Sequence, residues 1–530
     1  MKHKLRRIKI LDQSGYAMTY VLTFIVIASI ISIAALTAIS NNLQSATYNN
    51  DREEALNIAE AGINYYLWHL THNPIDFKDG QSTPSSPVVG LGYGPYVHNY
   101  LDISNKDIGS YTLYINPSGN NGSTIVTVRS TGRVIGSSVS RTVVAEIGAP
   151  SFASYVVNSD SALWFGNTET ANGPAHSNTG IRMDGPNTTD VTSSSATYVP
   201  PYELGGDGQS HPGVWCSTSV TYPVNCSTRN KSDWQYPVAT VNFNQITSSL
   251  CNIKKTAFAA NSATASLATQ PNACSQTPTT RTSTYIPERS ISYSATRGYM
   301  IELNSNDTYN LYDVNGENDQ KRPYTSALSL ALVASNVAID PSGIIYVEDN
   351  VWVRTNPTFN GRVSIASGRL TGNNNAFITI VDQMLYSAKD GSVAIGLVAQ
   401  GDVLLAPYAP PASGSFNFEV DAAIISESGN VEYPVYYKTN PYMCTYGWIS
   451  PNQTFTFYGS VSTRLNWTWT WLIGGSCGNA VYSSSQGYYI SGILNNTTSY
   501  DYNLLYSPPP SFPVTSAYNI LSWREVLSGP

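Results

Sequence analysis

Apolar and polar positions divide this 530-residue chain into three textures, and the first is the sharpest. Residues 16–39 (YAMTYVLTFIVIASIISIAALTAI) are nearly all apolar, and no charge occurs from Gln13 to Asn50. As a helix this stretch spans about 36 Å at about 1.5 Å per residue, enough to cross a bilayer. Downstream, Ala55, Ile58, Ala59, Gly62, Ile63, Tyr66 and Leu70 recur mostly at spacings of three and four, the period of a helix with one buried face. Asn73-Pro74 ends the pattern, because a residue before proline is pushed out of the helical region. The spacing predicts one helix over 16–72, half membrane span and half amphipathic stem. A simple anchor needs no such stem.

The second texture is alternating. Segments 109–115 (GSYTLYI), 123–132 (STIVTVRSTG) and 139–147 (VSRTVVAEI) read as three strands joined by Gly, Asn and Ser turns. They predict a small antiparallel sheet with one face on the stem, in a head over 73–150; a share in a larger sandwich is the alternative. Beyond Pro150 the third texture is short Val- and Ile-rich strands bounded by Gly, Asn or Asp, with no helix predicted. Examples are IIYVEDNVWV, GRVSIASG, AFITIVDQMLY and AIGLVAQGDVLL. Strands about ten to fifteen residues apart fit a β-helix or solenoid over 151–530, though without a strict period, and a β-sandwich is the alternative. The fold class expected is α+β: a long N-terminal helix with a small sheet, then a mainly β domain.

Composition narrows the setting. Only 12% of residues are charged, and Ser, Thr, Asn and 37 Tyr carry the polarity, a texture of secreted β-rich proteins. Lys2, Lys4, Arg6, Arg7 and Lys9 precede the apolar stretch, which orients the N-terminus to the cytoplasm and exports the rest. Removing residues 1–15 would take the formal charge from −7 to −11, against nucleic-acid binding through bulk charge. Cys216, Cys226, Cys251, Cys274, Cys444 and Cys477 all lie beyond the N-terminal third. Nearest-neighbour disulfides are expected, each stapling a short irregular segment, with six free thiols as the alternative. Zinc spacing such as CxxC is absent.

The basic leader ending in Gly15, the apolar run from Tyr16 and the stem's Arg52-Glu53-Glu54-Ala55 and Ala59-Glu60-Ala61-Gly62 together resemble type IV pilins, the stem looking like that of the PilX-like minor pilins. "NGPAHSNTGIRMDG", "IGLVAQGDVLL", "EVDAAIISESGNVEY" and "YDYNLLYSPPPSFPVTSAYNILSWRE" resemble landmarks of large PilX-like pilus-assembly proteins. The resemblance covers the first seventy residues and patches of 172–525. It is poor over 192–281, read as a variable insertion projecting from the fibre. It implies cleavage by a prepilin peptidase after Gly15, leaving Tyr16 first. Other pilin subunits and the assembly machinery are the implied partners. Before assembly the chain would be single-pass in the cytoplasmic membrane through 16–39; afterwards it would lie at the cell surface in a pilus. Most pilins carry glutamate at the fifth mature position, where this chain has Tyr20, which implies a minor or tip subunit.

Chemistry is sparse. His176 and Asp184 could form an acid/base pair, although a turn histidine is the expected reading. The run Asp313, Asn315, Glu317, Asp319 suggests a calcium loop but lacks the twelfth-position glutamate of an EF-hand, so a polar hairpin tip is expected. Gly474-Gly475-Ser476-Cys477-Gly478 matches GxSxG without the helix that motif needs. Tyr500-Asp501-Tyr502 and Pro508–510 read as a rigid segment over the end of the solenoid, and its Tyr and Trp content (Trp523 included) could present a binding surface. No cofactor or metal is expected. The function expected is non-catalytic: pilus assembly and surface display or adhesion, with a glycan or host-surface ligand. The alternative is a membrane-anchored β-helix enzyme acting on polysaccharide, whose paired carboxylates would meet in space rather than in sequence.

Overall fold

The structure, a computed structural model, describes residues 14–72, 76–81, 87–117, 123–167, 169–217, 225–290, 292–318, 324–409, 416–434, 453–473, 481–483, 488–493, 495–515 and 518–526. A long N-terminal helix precedes a mainly β region of several sheets. The chain divides into two compact units, one of Met1–Asn116, Thr127–Glu146 and Ile520–Pro530, the other of Pro117–Val126 and Ile147–Asn519.

In the first unit, α1 (Ser14–His72) runs for 59 residues. Its apolar half is exposed from Tyr16 to Ile39 apart from half-buried Ala28. Four hydroxyls within it are satisfied internally: Thr19, Thr23, Ser29 and Thr37 donate to carbonyls three or four residues back. The second half buries Ala55, Ile58, Ala59, Ile63, Tyr66 and Leu70. Beside it the sheet runs in the order β1 (Tyr93–Leu101), β2 (Asp107–Pro117), β3 (Ile125–Val134), β4 (Ser140–Gly148), then the strand Asn519–Val526. Buried Tyr111, Leu113 and Ile115 alternate along β2, as Val126, Val128 and Ser130 do along β3. Two glycines let helix and sheet approach. A Cβ at Gly62 would stand 2.3 Å from Ser130 Oγ, and one at Gly132 would stand 2.2 Å from the Ala55 carbonyl oxygen.

This sheet has two strands that the alternation did not mark. β1 pairs antiparallel with β2, and its less exposed positions from 94 to 100 are Gly94, Tyr96, His98 and Tyr100, with no aliphatic side chain to mark the alternation. The strand Asn519–Val526 is exposed over nearly its whole length, so burial imposes no alternation on it. The last strand of the chain thus belongs to the first unit, whereas the sequence ended that head at Pro150.

In the second unit a large sheet pairs Trp234–Gln235, Val191–Ser193, Ala175–Ser177, Val157–Ser159, Gln453–Thr463, Phe416–Ser426, Ala394–Ala399, Arg362–Ser367, Ile344–Val347 and Tyr285–Ile286 in that order, each pair parallel. A second ladder joins Gly298–Asn304, Val351–Asn356, Ile378–Ile380, Val403–Leu405, Val431–Glu432 and Trp467–Thr468, again in parallel. Between Ile344 and Thr468 the chain alternates strand by strand between the two ladders. Register stacks like residues: Ile345, Ile365, Leu397, Ile424, Val461, Val157, Ala175 and Val191 form one buried column. Two positions onward lie Ser367, Ser426, Thr463, Ser159, Ser177 and Ser193. These buried hydroxyls donate to carbonyls of the turns that follow or adjoin them, such as Gly401, Gly429, Leu465 and Ser161. Each turn therefore has a partner for a backbone group that burial would otherwise orphan.

Spatial order is not chain order. The strands after Val157 stack away in one direction, and those ending at Thr463 approach from the other, meeting where Val157 pairs with Val461. α2 (Gln245–Ala259) makes the return crossing. Near its start Asn244 accepts from Arg464 and Thr247 donates to Glu427; farther on Lys254 meets Glu348 and the Ala257 carbonyl accepts from Thr284. Its Ile246, Leu250, Ile253 and Ala257 are buried with Ile344, Tyr346, Ala366, Val398 and Ile425 on the outer face of the large sheet. One expectation is corrected here: a helix does occur beyond Pro150, and it lies with several short strands in 192–281, the range expected as a variable insertion. Thr, Ser and Asn dilute its apolar face, which hid a 3–4 spacing that is present.

Candidate functional site

The N-terminal half of α1 is an apolar surface that this chain's own core does not bury. Gly15 and Tyr16 fall in its first turn. Tyr16, Tyr20 and Phe24 are 68%, 73% and 73% exposed, with Ile and Val side chains exposed between and beyond them. One helix of this length and composition is able to cross a membrane. The half that follows is held to the sheet by packing and by a polar cluster at its end. Tyr65 donates to Asp79, His98 lies 2.7 Å from Asp79, and His69 lies 3.2 Å from Asp76. Burial, and then the Asp79 charge, push the Tyr65 hydroxyl up to about 12.

His176 and Asp184 are both buried but do not pair. His176 bonds Thr192 Oγ1 at 2.8 Å and Asn178 Oδ1 at 3.1 Å, and burial lowers its pKa. It lies in a strand and bonds side chains, rather than in a turn bonding backbone. Asp184 instead accepts from Arg182, Trp164 and the Ser217 amide. Arg182 stacks between neighbouring strands, 4.4 Å from the Trp164 ring and 5.4 Å from Trp215. Asp313, Asn315 and Glu317 stand in the strand Thr308–Glu317, neither a calcium loop nor a hairpin tip; Asp319 lies outside the described residues. No cluster suited to a metal occurs among the described residues. Pro508, Pro509 and Pro510 pack on the face of the large sheet, not its end: Arg362 donates to the carbonyls of Ser507 and Pro508, and Ser364 to that of Pro510. Trp523 sits in the last strand, 45% exposed.

Disulfides join Cys216 to Cys226 and Cys251 to Cys274; Cys444, Cys477 and Ser476 lie outside the described residues. Three charge groups, each with at least one buried member, are also present. Lys254 contacts Glu348, which accepts from Tyr285; burial lowers the lysine and raises the carboxyl. Arg369 is held by Asp349, Glu288 and Asn350. Lys389 lies over the Tyr458 ring between Glu419 and Asp421, where burial pushes Asp421 up to about 6.

A cavity of about 510 Å³ opens in the second unit, lined among others by Tyr293, Glu317, Phe377, Thr379, Asp402 and Leu404. Thr379 and Leu404 are register neighbours, and Glu432 is next in the same row. Burial, and then the Asp402 charge, raise Glu432 to about 7. Sequence reading missed this site because its wall comes from strands and turns well separated in the chain, brought together only by stacking.

No protein-family model matches the chain, and no curated protein matches it. Among solved structures the chain is similar to the competence-associated pilin ComZ from Thermus thermophilus, at 12% identity and a TM-score of 0.27, over 90% of this chain and 98% of that one.

Proposed function

We propose that this chain is a minor or tip subunit of a type IV pilin-like fibre, of the PilX-like kind. A prepilin peptidase removes 1–15 after Gly15, and 16–39 holds the subunit in the cytoplasmic membrane until assembly. The same segment then packs against other pilin subunits. Fibre entry carries the β region to the cell surface, where it serves assembly or adhesion. We read its parallel ladders as a β-solenoid. One observation carries the proposal: α1 is continuous, with an exposed apolar half joined to a half buried on a head sheet. A helix serving only as an anchor gains nothing from that second half.

The test is the mass of the mature N-terminus. A start at Tyr16 is expected, and Gly15→Val is expected to retain the leader and to keep the chain out of filaments. A start near Ser40 would overturn the proposal. Release of soluble sugars from polysaccharide by the purified chain would favour the surface enzyme instead.

A further inference from the structure

The cavity walls have a definite chemistry. Tyr293 is 42% exposed although Arg369 lies 4.6 Å from its ring centroid. That arginine is itself pinned by Asp349 and Glu288, so the ring is offered on a fixed support instead of folding away from water. Phe377 is set edge-on against Trp352, giving a second aromatic surface. The same wall holds the carboxylates of Glu317 and Asp402 with Thr379 and other polar groups, and no Lys, Arg or His occurs among the described lining residues. Glu317 is fixed by donors from Trp352 and Tyr408, and Asp402 by the Asn430 amide at 2.7 Å.

Aromatic faces take up the apolar C–H faces of a ring, and fixed carboxylates accept hydroxyl donors. With two acids and no base in the wall, an anionic ligand meets like charge there. The volume lies within the roughly 300–1,000 Å³ of small-molecule sites. We infer that this cavity binds a non-acidic saccharide, its sugar ring on Tyr293 and Phe377 and its hydroxyls donating to Asp402 and Glu317. The inference rests on the display reading only for where such a sugar would be met.

The experiment uses the full chain in detergent micelles on immobilised neutral, N-acetylated and acidic oligosaccharides. Retention on neutral or N-acetylated sugars is expected. Tyr293→Ala should weaken it at least tenfold with an unchanged denaturation midpoint, and Tyr293→Phe should preserve it. Asp402→Asn keeps an acceptor for the Asn430 amide but removes charge, so it should admit acidic sugars that the parent rejects. Retention of acidic sugars alone would overturn the inference, as would retention of none of them or a Tyr293→Ala variant that binds as the parent does. Leader processing is read on a separate measurement, so either proposal can fail while the other stands.

Discussion

At Gly132 the side chain is absent because the helix backbone occupies its place. A Cβ there would stand 2.2 Å from the Ala55 carbonyl oxygen and 2.5 Å from the Ala59 nitrogen, atoms that cannot rotate aside. Gly132→Ala should cost about 1–3 kcal/mol, the usual penalty of overpacking, read as a lower denaturant midpoint for the first unit. Glu432 makes a prediction of a different kind. Its folded pKa of about 7 lies above its ordinary 4.5, so the folded state holds a proton that the unfolded chain has released between those values. Its contribution to stability is therefore fully present below about 4.5 and is lost as pH rises through about 7. Glu432→Gln should flatten thermal stability across that window and raise the melting temperature at pH 8. An unchanged pH profile would contradict the assignment.

Among elements, legibility followed how directly burial writes itself into spacing. α1 was readable because its two halves each carry a strong signal, an unbroken apolar run and then a 3–4 repeat ended by Asn73-Pro74. β2 and β3 were readable because one face is buried and the other is not. The strand Asn519–Val526 was not, since exposure on nearly every residue leaves no alternation. It still completes the sheet, with Arg141 joined to Glu525 and Ser522 donating to Glu146. Truncation before Asn519 should uncover β4 as an unpaired edge. The expected results are faster amide exchange in β4 and self-association; neither change would mean the strand is dispensable. α2 was missed although Ile246, Leu250, Ile253 and Ala257 keep helical spacing, because its Ser, Thr and Asn residues favour turns elsewhere. The Cys251–Cys274 disulfide ties α2 to the segment that follows it. Replacing both cysteines by serine should cost about 2–4 kcal/mol, seen as an earlier unfolding transition under oxidising conditions only.

For the molecule as a whole, what could not be read was the stacking. Between successive strands in the order given, register partners of the large sheet are separated by as few as 16 residues (Ala175 to Val191) and, apart from one junction, by as many as 61 (Tyr285 to Tyr346), so the ladder is regular in space and aperiodic in sequence. The junction of Val157 with Val461 joins residues three hundred positions apart, beyond any local pattern. The cavity inherits that difficulty, being made of strand and turn residues from several parts of the chain. The N-terminal half of α1, by contrast, was legible because its chemistry is contiguous, and that chemistry bears on copy number. Under the proposed assignment the new N-terminus at Tyr16 carries an ammonium into an apolar fibre core, where an unpaired charge is costly. A glutamate at the fifth position of a neighbour would neutralise it; this chain offers Tyr20, 73% exposed on the helix. One copy among glutamate-bearing subunits leaves one mismatch, whereas a run of copies leaves one at every step. Quantitative mass spectrometry of sheared filaments should therefore find this chain far below the main subunit, and Tyr20→Glu should raise its share. Its presence as the dominant band would refute the minor or tip assignment, even with Tyr16 confirmed as the first residue.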